Sequence, residues 1–66
     1  MEDSWIKICN KLKRELGKNA YKNWIEPIDL VKIENFVAIF DAPTNFIGDW
    51  VQRNYGDKII DNFNQF

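Results

Sequence analysis

Apolar residues along this 66-residue chain change their spacing twice, and that change restricts the possible folds more than any other feature. Near the start, Trp5, Ile8, Cys9, Leu12 and Leu16 fall on one stripe at about 100° per residue, which predicts a helix from roughly Asp3 to Leu16. Ile6 lies off the stripe. Asp3 or Ser4 offers a capping oxygen at its start, and Gly17 suits the left-handed position just past its end. A second, short helix is expected from about Asn19, with Tyr21, Trp24 and Ile25 as its apolar face, stopped by Pro27.

The spacing then changes. Ile28 to Ile33 and Phe36 to Ala42 are rich in branched and aromatic residues, with Glu34 and Asn35 between them as turn material, so a β-hairpin is predicted. In the second strand Phe36, Ala38 and Phe40 alternate with Val37 and Ile39, which predicts a strand covered on both faces. Helical spacing returns after Thr44, the expected cap of a third helix carrying Phe46, Ile47, Trp50, Val51 and Tyr55. Gly56 is expected to break it. From Asp57 the pattern restarts with Ile59, Ile60, Phe63 and Phe66. The order predicts an α+β fold with two N-terminal helices, a hairpin, and further helices packed on the sheet. A chain this short buries only about 60% of the surface its unfolded form exposes, so residues 1–66 are read as one domain.

With no histidine and a single cysteine, the chain lacks disulfide frameworks, Cys/His zinc sites and His-based acid–base pairs. Its carboxylates are scattered, and the isolated glycines form no phosphate loop. No catalytic residue, cofactor or metal is therefore expected. Cys9 reads as a buried, inert thiol. The longest uncharged stretch falls far short of the roughly 18 residues of a membrane span, no targeting signal is visible, and the expected setting is cytoplasmic.

Charge is distributed unevenly. Lys7, Lys11, Lys13, Arg14, Lys18 and Lys22 face Glu15 alone, so residues 7–22 carry about +5. From Asn23 onward Lys32, Arg53 and Lys58 face seven carboxylates, and the molecule is expected to be electrically two-sided. The basic run could follow a phosphate backbone, although lysines on the outer side of an amphipathic helix commonly form a solvated face. Trp5 and Phe46 each stand in the first turn of a predicted helix, at the edge of the core, where an aromatic is either a core residue or an interface anchor. Trp24 and Trp50 lie mid-stripe and read as core, with Trp50 cementing the third helix against the sheet.

Several of these residues form a pattern: Trp5 with Leu12 and Leu16, then Tyr21-x-x-Trp24-Ile25-x-Pro27, then APTNFIGDWV from Ala42 to Val51, followed by Tyr55. Over essentially its whole length the chain resembles domain I of the bacterial replication initiators of the DnaA type. The resemblance implies a compact domain similar to the K-homology fold, preceding an AAA+ ATPase and a helix-turn-helix domain that carry the ATP chemistry and origin recognition. It implies self-association through the face of Trp5, Ile6 and Cys9. It also implies contact with the replicative helicase or species-specific regulators through Phe46, Asp49 and Asn45, and weak single-stranded DNA contact at Thr44 and Asn45.

Two departures stand out. A second-helix acidic residue that serves helicase binding in some members aligns near Asn19 or Ala20, and the family's usual third strand is missing before Phe66, leaving an open sheet edge. The expected function is that of a protein–protein interaction domain, with no membrane partner. The alternatives are a single-stranded nucleic-acid binder, which would lack the Gly-x-x-Gly loop of K-homology modules, and a stand-alone mimic competing for initiator partners.

Overall fold

The computed structural model describes residues 2–65. Helix α1 spans Glu2–Leu16, and α2, Lys18–Ala20, runs directly into a π-helical turn, Tyr21–Ile25. Strands β1, Asp29–Glu34, and β2, Val37–Asp41, form an antiparallel hairpin, and α3, Asn45–Gln65, follows. The architecture is α+β, with a two-stranded sheet among the described residues.

Ile8 and Leu12 of α1, Ile25 of the π-turn, Ile28, and Val51 and Ile59 of α3 form the buried core. They are the stripe residues of each helix plus the residue entering the hairpin, so the helical spacing in the sequence is what builds the core. A polar seam joins α1 to α3. The Lys11 ammonium donates to the Gln65 amide oxygen, and the buried Asn62 amide donates to Glu15 at 3.4 Å and to the Lys58 carbonyl at 2.9 Å.

Local signals act where the backbone needs them. Gly17 sits at φ 89°, ψ 163°, a positive-φ but extended conformation rather than a left-handed helical cap. Its N–H still closes α1 on the Lys13 carbonyl at 3.1 Å. Thr44 caps α3, its hydroxyl accepting the Ile47 N–H at 3.1 Å. Neither Asp3 nor Ser4 precedes α1, because the helix already includes Glu2.

The expected second helix is present, Lys18–Ala20 running into the π-turn, in which the Glu26 N–H reaches back to the Tyr21 carbonyl at 2.9 Å. Three expectations are revised. Helix α3 passes straight through Gly56, since a single helical glycine costs less than the tertiary packing of Val51 and Ile59 on either side supplies. The hairpin turn is Asn35–Phe36 rather than Glu34–Asn35, with φ of 53° and 64°, the two positive values of a tight hairpin loop. Strand β2 is covered on one face only: Ala38 and Phe40 point inward, whereas Val37 and Ile39 are 58% and 39% exposed. Among the described residues the sheet has two strands, and no layer lies over its second face. Helix α3 packs against α1 and the π-turn, and it meets the hairpin at the core, where Phe40 and Ala42 pack against the cluster that holds Val51 and Ile59. Phe66, assigned to the last helix from its spacing, lies outside the described residues.

Candidate functional site

The residues singled out from the sequence occupy three surfaces. On the first, Trp5 ties three elements together, its ring 4.9 Å from Phe40 of β2 and stacked at 6.1 Å on Phe63 of α3. It is half-buried, so it is both a core-edge residue and a surface residue. Ile6, on the outer side of the same turn, is 57% exposed. Trp5, Ile6 and Cys9 share the wall of a concavity of about 290 Å³, completed by Tyr21, Ile25 and Asp29 among others. The Cys9 thiol is half-buried, and burial pushes its pKa up from 9.0, with a hydrogen bond from Tyr21 partly opposing that and the Asp29 charge adding to it. Such a thiol stays protonated at neutral pH and is a poor nucleophile.

On the second surface, Phe46 is 67% exposed at the first turn of α3, its ring 6.2 Å from Trp24. Trp24 and Trp50 lie face to face, 3.9 Å between centroids and 9° between planes, and Tyr55 meets Trp50 edge-on at 5.4 Å. This row joins the π-turn to α3. Trp50 therefore clamps α3 to the helical layer, not to the sheet, and both tryptophans are half-buried rather than core. Stacked aromatics of this kind add about 1 kcal/mol beyond their burial, so Phe46 projects from a stiff base.

The third surface has no signal in the spacing of the sequence. Between the hairpin and α3 lies a cleft of about 930 Å³ lined by Phe36, Val37, Phe40, Ile59, Ile60 and Phe63 among others. Thr44, Asn45 and Asp49 line it too, whereas Phe46 does not, since positions 45 and 49 share one helix face and 46 and 50 the next. The structure thus separates Phe46 from Asn45 and Asp49. Its charged lining residues are the carboxylates Asp41 and Asp49, with no lysine or arginine. The exposed apolar residues of the hairpin could have signalled it only if the one-sided cover of β2 had been known.

Among the described residues no group of His, Cys, Asp or Glu is placed to hold a metal ion, and no helix is long and apolar enough to cross a membrane. These features define a class: a small α+β domain that presents apolar and aromatic side chains on a helical frame.

The particular family follows from comparison with known proteins. A family model described as the DnaA N-terminal domain matches residues 2–65, and the chain belongs to that family. It is 47% identical over 58 residues to the chromosomal replication initiator protein DnaA of a Jannaschia species, covering 88% of this chain and 12% of that protein. The same protein of Ruegeria pomeroyi is 41% identical over 59 residues, covering 89% and 13%. In a second Ruegeria species it is 38% identical over 64 residues, covering 97% and 14%. The chain therefore spans about an eighth of the length of these relatives. No solved structure matches it.

Proposed function

We propose that this chain is a protein–protein interaction domain of a replication initiator, with a binding rather than a catalytic role. It associates with further copies through the α1 face of Trp5, Ile6 and Cys9, and meets the replicative helicase or initiation regulators through the surface around Phe46. The observation that carries this reading is the exposure of Ile6 and Phe46 in the first turns of two long helices, Ile6 beside Trp5, whose ring meets Phe40, and Phe46 against the ring of Trp24. Burying one such side chain in a partner contributes about 1.5–3 kcal/mol, enough for an anchor but not for a tight complex. Weak contacts suffice where many copies are held together, because tethering raises their effective concentration.

Sedimentation across a concentration series, with Ile6→Glu and Phe46→Ala beside the wild type, tests both faces. Ile6→Glu is the cleaner probe of self-association, since truncating Trp5 would cost on the order of 3 kcal/mol in folding stability as well. The expected result is dimerisation lost in Ile6→Glu, and helicase binding lost in Phe46→Ala with dimerisation intact. A wild type that stays monomeric and ignores the helicase would refute the proposal.

A further inference from the structure

The π-turn is tied to both long helices at once. Tyr21 reaches back to α1, where its hydroxyl donates to the Cys9 thiol and its ring lines the concavity of Trp5 and Ile6. The Lys13 ammonium lies 5.9 Å over the same ring. Trp24 reaches forward to α3, face to face with Trp50 at 3.9 Å and 6.2 Å from Phe46. Ile25, at the end of the turn, is 1% exposed and fixed in the core.

An ordinary helical turn does not make both contacts. At 100° per residue Tyr21 and Trp24 lie only about 60° apart and face one side, as their spacing in the sequence predicts. In the π register the Glu26 N–H donates to the Tyr21 carbonyl at 2.9 Å instead of to the Lys22 carbonyl. That adds about one residue to the turn and swings Trp24 away from Tyr21. The turn holds no glycine or proline that would account for the rarer register. Its two tertiary contacts account for it: either alone is compatible with the commoner α register, and only both together require the π register.

We infer that the π-turn is a two-register switch coupling the concavity beside α1 to the aromatic row on α3. The Tyr21–Cys9 and Trp24–Trp50 contacts oppose one another by the free-energy difference between the two registers. A partner side chain that enters the concavity and displaces Tyr21 frees the turn to revert to α, with Trp24 firmer on Trp50 beneath Phe46. Reciprocally, a partner that lifts Trp24 leaves Tyr21 firmer on Cys9. An element with two discrete arrangements is what coupling between sites physically requires. The coupling is a property of the free domain, and rests on the interaction faces proposed above only for what works the switch.

Trp50→Ala frees Trp24, and Cys9 reports the result through its rate of reaction with methyl methanethiosulfonate, a small neutral reagent. The substitution removes packing, so simple loosening would make the half-buried thiol react faster. The switch predicts the opposite: Tyr21 settles on Cys9 and the reaction slows about fivefold, the low end for coupled sites. Ile59→Val, which removes one core methyl and neither contact, is the control for lost stability and should not slow the reaction. From the other side, Tyr21→Ala should move the Trp24 and Trp50 indole protons further upfield as the stack closes. Tyr21→Phe, which loses only the hydroxyl, should do the same to a smaller extent. In Trp50→Ala and Tyr21→Ala the scalar coupling across the hydrogen bond from Glu26 N–H to the Tyr21 carbonyl should vanish, and one to the Lys22 carbonyl should appear.

A faster Cys9 reaction in Trp50→Ala would overturn the switch and reduce the aromatic row to plain packing. Persistence of the Glu26–Tyr21 coupling in both variants would overturn it as well, since a turn that keeps its register without either contact has one arrangement. Neither result bears on the interaction faces, which sedimentation reads. A chain that neither associates nor meets a helicase, yet shows the slowed thiol and the changed register, would remove those faces and leave the switch standing.

Discussion

Replacing Gly56 with alanine tests the continuity of α3 by the sign of a stability change. Within a helix, alanine is favoured over glycine by about 0.5–1 kcal/mol, because the unfolded glycine has more conformational freedom to lose. The new Cβ would meet only Gln52 Cγ at 3.9 Å, an ordinary contact, and its backbone is not at positive φ. No steric term opposes the gain, so Gly56→Ala should stabilise the fold by about 0.8 kcal/mol. For a domain of this size that raises the unfolding midpoint by about 3–6 °C.

Gly17→Ala is the internal control. At φ 89° with nothing within 4 Å, the alanine there would be strained without clashing, and should cost about 1–3 kcal/mol. Thermal and urea unfolding followed by circular dichroism, with the denaturant slope unchanged, would report both values. If Gly56→Ala were neutral or destabilising like Gly17→Ala, α3 would break at that residue in solution, and the uninterrupted helix would be refuted.

Phe36→Gly should stabilise the isolated chain by about 1 kcal/mol, since Asn-Gly is the preferred pair for a turn with two positive φ values; a lower unfolding midpoint would show that Phe36 makes internal contacts. Trp24→Ala, Trp50→Ala and the double variant should give a coupling of about 1 kcal/mol in a double-mutant cycle, and additive effects would mean the stack is absent. Burial raises the pKa of Cys9 above 9.0 and that of Tyr21 above 10.0. The folded state therefore holds these protons more tightly than the unfolded one, so their contribution is complete below pH 9.0 and declines as pH rises through the raised values. Stability measured against pH should fall in that alkaline range, less steeply for Cys9→Ala, and a flat profile would contradict the shifts.

The helical stripes were legible because an amphipathic helix writes its buried face at fixed spacing: Ile8, Leu12, Ile25, Val51 and Ile59 are all stripe residues and all core. Thr44 was legible for a similar reason, since capping chemistry is local. Trp24 and Trp50 were read as core because spacing reports which side of a helix a residue lies on but not how deeply the next element covers it. The hairpin turn was misplaced by one residue because a phenylalanine at positive φ goes against local preference. Asn45 and Asp49 were grouped with Phe46 through the family resemblance, and helix geometry sends them to different surfaces.

The amino-acid sequence by itself determined the order of elements, the core stripes, the absence of histidine chemistry and the separation of a basic segment from an acidic one. Those properties are local or compositional. Only the tertiary structure decided that α3 runs unbroken past Gly56, that β2 is covered on one face, that Trp24 stacks on Trp50, and that an acidic cleft opens between hairpin and helix. Each of these depends on which distant surfaces meet, and a pattern along one chain does not carry that information.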